Sequence, residues 1–480
     1  MSWSVSTVEI IFLLTLLITF VAAFLGRRHS TSSQDGLADE KLNRWLIGLS
    51  AGATANSGFI VTGAVGLGFA FGPQWIFLPI SWFLGDLVFW RFFPHLINRY
   101  GEENKVTTLS ELLSVNISGK AKVAITMLVS LLIIVGVGGY TTAQWIAGQK
   151  FVSGAFNFSA EFSLLLFALV IIAYSSIGGF RGSVYADSVQ AVIRLIGTIL
   201  ALVMVILAVF DDPETFNHNI SAAGEQFMNW LPGTSIASII LFVLGFAFAS
   251  LGFGLGQPQL VSRYLAGASP EETQSAKWIY IFFVQFTWIS MTLFGVLLRG
   301  VMPDIDDPET GLSVFFANHA NQIVAGIIVA DIYATIAATS NSLLVAMAQS
   351  VVHDLFKVGK NKTKSLAKNK TISMVVLLLG GLTMLGAIVL NNHSSVFELA
   401  ISSVSLLGAG LAAPVLIKLT ERSHTGASLI FSIILGLASA LVWKFWGLSD
   451  RLNEAAIGIV VGYLGNWVFV KVETSELATQ

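Results

Sequence analysis

The chain has 480 residues, of which 55% are hydrophobic and only 11% are charged, and its mean hydropathy is +0.77. A soluble protein carries about 25% charged residues, so most of the surface of this chain must face lipid. The net charge of −2 argues against a nucleic-acid partner, and the absence of cysteine excludes disulfides, cysteine-ligated zinc and iron–sulfur clusters.

The hydrophobic residues form stretches long enough to cross a bilayer, which takes about 20 mostly apolar residues. We predict an all-α polytopic membrane protein with about 13 transmembrane helices in one bundle. The predicted spans are residues 8–26, 46–71, 74–97, 122–146, 161–178, 187–210, 237–261, 277–300, 320–346, 372–390, 396–417, 426–447 and 453–470.

The basic residues predict the orientation of these spans. Arg27 and Arg28 follow the first span and no basic residue precedes it, which is the reverse of a signal peptide and places the N-terminus outside. The loops then assigned inside hold most of the 26 Lys and Arg, and the C-terminus is cytoplasmic. We expect a multi-pass protein of the cell membrane, and the short tails fit a bacterial inner membrane. The basic run from Lys357 to Lys370 is interpreted as a topology signal, with contact to anionic membrane lipid as the alternative.

Catalytic chemistry is not indicated. None of the seven histidines lies in the middle of a span and no two have ligand spacing, so a haem or multi-histidine metal enzyme is not expected. No P-loop is present, and no nucleophile elbow stands in the right context. We therefore expect no enzyme activity and no cofactor, and transport driven by an existing gradient.

The second span contains a polar, glycine-punctuated segment over residues 49–58. Small and polar residues loosen a helix, and a broken helix frees carbonyl oxygens for a cation and N–H groups for an anionic part of a substrate. The alternative is that these small residues only allow close helix packing.

The ninth span places Asp331, Thr335, Ala338, Thr339 and Ser342 on one helical face. A lone carboxylate in a span costs several kcal/mol unless it is paired or solvated, so Asp331 is a candidate functional residue. The threonines offer hydroxyl oxygens to a cation, or else they donate to their own i−4 carbonyls.

At these residues the sequence resembles the sodium:solute symporters, and among them the sodium/proline symporters most closely. The resemblance extends from about residue 40 to 445 with similar spacing. The matching motifs are Leu49-Ser50-Ala51-Gly52-Ala53 with Ser57-Gly58, Gly178-Gly179-Phe180 followed by Asp187-Ser188-Val189-Gln190, Gly256-Gln257-Pro258 with Arg263, and Asn341-Ser342 through His353-Asp354-Leu355.

The resemblance implies a leucine-transporter-like core, in which two sets of five spans form an inverted repeat. Residues 1–45 would hold the first helix and a cytoplasmic loop, and residues 46–210 the first repeat. Residues 237–417 would form the second repeat, and residues 426–480 two peripheral helices and a short tail.

The resemblance also implies the binding residues. The main sodium site would use carbonyls of Ala53, Asn56 and Thr335 and the hydroxyl of Thr339, with Ala338 in place of a second hydroxyl. A second ion site of some relatives would fall on Asp187, Asn341 and Ser342, unless Asp187 pairs with Arg181 or Arg194. The expected solute-binding residues are Ser57, Gly58, Tyr140, Ser250, Gly254 and Gln257.

Several positions depart from the proline symporters. Ala55 replaces an aspartate that is important for sodium, and Ser250 and Gly254 replace aromatic residues, which leaves room for a larger substrate. Asp86 and Asp331 stand where those relatives have apolar residues. We expect Asp86 to pair with Arg91, whereas Asp331 could restore cation binding, bind a proton, or pair with a cationic solute.

The sequence therefore predicts a symporter that imports a small organic solute with Na⁺ as the coupling ion. Proline or another amino acid is the best single prediction, with an organic acid nearly as good. The alternatives are proton coupling at Asp331, and a non-transporting receptor that keeps the fold.

Overall fold

The computed structural model describes residues 6–28, 41–355, 365–390 and 395–479. This part of the chain is helical, apart from short 3-10 and π turns, connecting loops and one isolated bridge between Leu42 and Gly267. The all-α class is thereby confirmed. The basic run from Lys357 to Lys370, and Arg27 and Arg28, lie outside the residues whose side chains are described.

Ten α-helices are described in the first half of the chain. They are α1 (Thr7–Arg28), α2 (Arg44–Ala55), α3 (Gly58–Val61), α4 (Gly63–Phe71), α5 (Phe77–Phe92), α6 (Pro94–Asn104), α7 (Leu109–Ser114), α8 (Gly119–Phe156), α9 (Ala160–Asp211) and α10 (Pro213–Ala222).

The second half also begins with a broken helix. Its helices are α11 (Ile236–Gly256), α12 (Pro258–Leu265), α13 (Pro270–Ser275), α14 (Lys277–Val301), α15 (Gly311–His319), α16 (Gln322–Gln349), α17 (Ser365–Leu390), α18 (Val396–Leu419), α19 (Gly426–Phe445) and α20 (Glu454–Thr479).

Within the described ranges, eleven helices are long and apolar enough to cross a membrane, or up to twelve if the bent pair of α2 with α3–α4 is one span. The span predicted over residues 161–178 corresponds to a shorter apolar helix, Ala160–Ser176. It ends near Gly179, whose φ of 63° bends α9, a conformation that glycine adopts without steric cost. The number of thirteen spans therefore stays a prediction.

The outer surface of the bundle is apolar. Large side chains such as Leu17, Phe210 and Leu382 are more than half exposed, which suits contact with acyl chains rather than water. Helix α16 is instead buried along most of its length and packs against α1, α2, α8 and α9. The centre of the bundle therefore lies around α16.

The break predicted in the second span is confirmed. Helix α2 starts at the Asn43 cap, whose side chain accepts from two backbone N–H groups, and ends at Ala55. Asn56 leaves the helical conformation, and Ser57 caps the start of α3. The two parts of the span meet at 60°.

The first span of the second half is interrupted in the same way. Gln257 is extended between α11 and α12, and Pro258 opens α12, where its missing N–H removes no helical hydrogen bond. Each of the two predicted repeats thus begins with a helix that unwinds inside the bundle, as an inverted repeat requires.

Candidate ion and solute site

The unwound segment between α2 and α3 is held by neighbouring helices. Asn56 and Ser57 are buried. The backbone N–H of Gly58 donates to Oε1 of Gln144 on α8 at 2.8 Å, and the Asn56 amide donates to the Thr287 hydroxyl on α14. The segment is therefore fixed by side chains, and the Ala53 and Thr54 carbonyls near the end of α2 can meet groups of another helix.

Helix α16 faces those carbonyls. The Thr339 hydroxyl donates across the interface to the Thr54 carbonyl at 3.0 Å and approaches the Ala53 carbonyl at 3.5 Å, rather than donating to its own i−4 carbonyl. Ala338 beside it contributes no oxygen. The structure thus brings Ala53 and Thr339 together, while sodium binding between them stays a prediction.

Asp331 lies one turn away from Thr335, whose hydroxyl donates to Oδ1 of Asp331 at 3.3 Å. Its other oxygen accepts from Nη1 of Arg194 on α9 at 2.7 Å, and both side chains are buried. A Cβ added at Gly197 would overlap the Asp331 carboxylate, so α9 and α16 approach closely here. Asp331 is thus half of a buried ion pair rather than an isolated carboxylate.

A second buried ion pair lies at the inner end of α2 in the predicted orientation. Nη2 of Arg263 on α12 donates to Oδ2 of Asp187 at 2.6 Å and to the Ser342 hydroxyl at 2.7 Å. The Arg263 Nε donates to the Ser50 hydroxyl at 2.6 Å, and that hydroxyl donates to Asp187 at 2.9 Å. The cluster joins α2, α9, α12 and α16, and its four side chains are buried.

The alternative to the second ion site was an ion pair of Asp187 with Arg181 or Arg194; Asp187 does form an ion pair, but its partner is Arg263. Asn341, the third residue of the predicted second ion site, donates to the hydroxyls of Ser183 and Tyr174 at 2.8 and 3.2 Å. The guanidinium therefore stands among the oxygens that were expected to surround an ion.

A cavity with about 490 Å³ of empty space, counting the part open to solvent, adjoins the break. Ser57 and Tyr140, two of the predicted solute-binding residues, line it. The full lining is Ala55, Ser57, Phe59, Ile60, Trp82, Tyr140, Phe253, Val284, Trp288, Phe397, Ala400, Ile401 and Val404.

The cavity wall is largely aromatic. The ring of Trp82 on α5 contacts the rings of Phe253 and Trp288, with centroids 5.4 and 5.5 Å apart. Phe59 contacts Trp288 at 5.3 Å and Phe397 at 5.4 Å. Three of these four contacts are edge-to-face, which holds the rings in place, so the wall of the cavity is apolar.

The other predicted solute-binding residues do not line this cavity. The Ser250 hydroxyl donates to Asp86, and a Cβ at Gly254 would overlap the ring of Phe89. Gln257 donates to the Val404 carbonyl at 3.4 Å. The space that small residues were expected to leave for a larger substrate is therefore filled by α5.

Asp86 does not form the expected pair with Arg91. It is 2% exposed, its Oδ1 accepts from Ser250 at 2.8 Å, and the Arg91 guanidinium lies over the ring of Phe92. Arg91 follows Asp86 by five residues on the same helix, and it points away from it toward the exposed side of α5.

Sequence reasoning missed the aromatic wall and both arginine partners. Trp82, Phe253 and Trp288 stand in ordinary hydrophobic spans, where nothing distinguishes a lining ring from a packing ring. A usable signal did exist for Arg194, because it is a charged residue within a span and so requires a partner.

The matches to known proteins agree with this geometry. The family model described as "Sodium:solute symporter family" matches residues 37–436. Sodium/proline symporters of Staphylococcus aureus strains JH9 and JH1 are each 25% identical over 476 residues, covering 93% of this chain and 90% of the relative.

Solved structures share the fold. A substrate-bound, outward-open Na⁺-coupled sialic acid symporter superposes with a TM-score of 0.80 at 18% identity, covering 97% of this chain and 98% of that chain. MhsT in complex with L-phenylalanine gives a TM-score of 0.52 at 14% identity, covering 89% and 99%. The predicted leucine-transporter-like core is thereby confirmed, and the matching proteins are transporters rather than enzymes. Since the family model covers most of its length, this chain belongs to the sodium:solute symporter family.

Proposed function

We propose that this protein is a secondary active transporter that carries a small organic solute across the cell membrane together with sodium. The observation that carries this proposal is the contact of Thr339 with the Ala53 and Thr54 carbonyls at a broken helix, beside an aromatic cavity. A cation bound there would hold α2 against α16, and solute in the adjoining cavity would favour the same conformation. Two ligands are coupled when both bind more tightly to the same conformational state.

The proposed sodium ligands are neutral oxygens: the carbonyls of Ala53, Asn56 and Thr335 and the hydroxyl of Thr339. Oxygen ligands suit a hard cation. Because Ala338 leaves one hydroxyl position without an oxygen, we expect weaker sodium binding than a site with both hydroxyls would have.

We further propose that one sodium ion is bound in each cycle. The oxygens of Asp187, Ser342 and Ser50 already surround the Arg263 guanidinium at 2.6–2.7 Å. A sodium ion placed beside that group would meet a like charge in a site of low dielectric constant, which is unfavourable.

For the solute, we propose proline or another amino acid with an apolar side chain. The sodium/proline symporters of S. aureus support the amino-acid class. The aromatic wall around Trp82 and Trp288 supports an apolar body, while Ser57 and Tyr140 place hydroxyl groups on the same cavity.

Proton coupling at Asp331 is a weaker candidate, because protonating that carboxylate would leave the buried Arg194 without its counter-charge.

The proposed orientation has the N-terminus outside and the C-terminus in the cytoplasm. Residues 46–210 and 237–417 are the two proposed repeats.

The first experiment is a thermal-shift screen of the purified protein with amino acids and organic acids, in sodium and in potassium buffers. Any stabilising solute is then tested for uptake into proteoliposomes with an inward sodium gradient. We expect sodium-dependent stabilisation and uptake. Sodium-independent uptake that a protonophore collapses would favour proton coupling, and stabilisation without any uptake would favour a receptor.

The site is tested by Thr339→Ala against Ser340→Ala. Both hydroxyls are buried on α16, but Ser340 donates to the carbonyl of Ile336 on its own helix. A hydrogen bond or ligand contact to a charge is worth about 1.5–3 kcal/mol, so T339A should raise the half-maximal sodium concentration roughly tenfold or more. S340A should stay near the wild type, and equal effects of the two changes would reject the site.

A further inference from the structure

Asp86 is a buried carboxylate without a partner cation. Asp187 and Asp331 are each neutralised by an arginine, whereas Oδ1 of Asp86 accepts only from Ser250 at 2.8 Å. Its Oδ2 is buried and has no hydrogen-bond partner among the described residues.

The helices packed around Asp86 offer no counter-charge in the described part of the chain. Helix α11 has no titratable residue. Of the described hydrogen bonds, only the one from Ser250 reaches the carboxylate, and no described ion pair joins it to a titratable residue of a neighbouring helix. Those residues are Lys277, Tyr280 and Arg299 on α14, Arg263 and Tyr264 on α12, and His95, Arg99, Tyr100, Glu102 and Glu103 on α6.

A carboxylate in this environment favours its neutral form, because an unpaired buried charge is far more costly than a buried carboxylic acid. Protonation also gives Oδ2 a hydroxyl, while Oδ1 keeps the hydrogen bond from Ser250. When water reaches the site the cost of the charge falls, and the proton can leave to the solvent.

Asp86 lies one helical turn behind the wall of the solute cavity. On α5 it follows Trp82 by four residues, and on α11 its partner Ser250 precedes Phe253 by three. The rings of Trp82 and Phe253 contact each other with centroids 5.4 Å apart and line the cavity. The pair of Asp86 and Ser250 therefore fastens α5 to α11 directly beside the place where the solute is proposed to bind.

Helix α12 contacts α5 one turn beyond Asp86. The ring of Tyr264 lies 5.4 Å from the ring of Phe89 on α5, and the preceding residue, Arg263, forms the buried ion pair with Asp187. A movement of α12 that breaks this ion pair would also separate Tyr264 from Phe89 and open a path for water toward Asp86.

We propose that Asp86 is a proton-binding site, protonated while α5, α11 and α12 are packed together and ionised when α12 moves away and water enters. The bound ligand is a proton, which passes from Oδ2 to water on opening and returns on closing. The free energy of opening then falls as the pH rises on the side that α12 faces. In the predicted orientation that side is the cytoplasm. This inference rests on the proposed function, because it requires the bundle to alternate between closed and open states.

The test uses the absence of cysteine from the chain. Ser262 on α12 is 5% exposed, so Ser262→Cys reports opening by its rate of reaction with a maleimide. The rate is divided at each pH by that of Ser221→Cys, an exposed position on α10, which removes the intrinsic pH dependence of the thiol. We expect this ratio to rise with pH, by at most tenfold per pH unit, since one linked proton sets that limit.

In the same background, Asp86→Asn should give a low ratio with no pH dependence, because the amide mimics the neutral acid. Asp86→Glu should keep the dependence and serves as the second variant if D86N folds poorly. Infrared spectra of the wild type should show a protonated carboxyl band that is absent from D86N. A flat ratio in the wild type, or an unchanged slope in D86N, would overturn the inference. Neither measurement needs solute or a sodium gradient, so the result for Asp86 can be told apart from a failure of sodium-coupled uptake.

Discussion

The cluster around Arg263 allows a quantitative test of the proposed one-sodium arrangement. Replacing Arg263 with methionine (R263M) leaves the buried carboxylate of Asp187 without its cation, which lies 2.6 Å away. Two unit charges about 4 Å apart attract by about 4 kcal/mol at an effective dielectric constant of about 20. Breaking a buried pair by removing one partner costs about 3–5 kcal/mol, so we expect R263M to lose about that much unfolding free energy.

The assay is equilibrium unfolding in SDS, followed by the fluorescence of the 12 tryptophans. Adding Asp187→Asn to R263M should recover most of the loss, because two neutral groups then replace the broken pair. The same double-mutant cycle on Arg194 and Asp331 supplies a matched buried pair. If the R263M/D187N protein is as unstable as the sum of the single losses, the pair is not what holds the cluster together.

Sodium gives the second readout of the same variant. The oxygens of Ser50, Ser342 and Asp187 lose their guanidinium in R263M, so a sodium ion can take its place. We expect sodium to stabilise R263M more than the wild type, and more than potassium does. Equal stabilisation by sodium in both proteins would contradict the view that Arg263 holds the position of a second cation.

Three further predictions concern single side chains. Asp331→Asn should lower the folded yield and the unfolding free energy, because Arg194 loses its counter-charge; loss of coupling in a fully stable D331N protein would contradict this. Trp82→Ala should lower the unfolding free energy by about 3–5 kcal/mol. In uptake assays it should also lower the KM for amino acids with larger side chains relative to the KM for smaller ones. An unchanged preference would show that Trp82 does not contact the solute. Gly254→Ala should cost about 1–3 kcal/mol through overlap with Phe89, and Phe89→Leu in the same chain should restore part of it; an undiminished unfolding free energy in G254A would be inconsistent with this packing.

The sequence allowed the features that depend on local chemistry to be predicted. The all-α class follows from composition, because only helices satisfy the backbone of a chain this apolar in lipid. The break at residues 56–57 follows from the run of small and polar residues before it, and the approach of Thr339 to Ala53 was implied by the family resemblance.

The remaining features depend on contacts between distant segments. Arg263 meets Asp187 only because α11 unwinds at Gln257 and redirects α12 toward α9. The pairing of Arg194 with Asp331 joins residues 137 positions apart. A single sequence shows that these charges need partners, but it does not show which partner each one meets.

In the proposed one-sodium arrangement, the guanidinium that stands among the oxygens of Asp187 and Ser342 would limit how far the solute can be concentrated. With one sodium ion per cycle, a 100 mV membrane potential contributes about 2.3 kcal/mol and a tenfold sodium gradient about 1.4 kcal/mol. Together they sustain at most about a 500-fold accumulation of a neutral or zwitterionic solute. A second sodium ion in place of Arg263 would raise that ceiling above about 100,000-fold, at twice the entry of sodium for each molecule of solute.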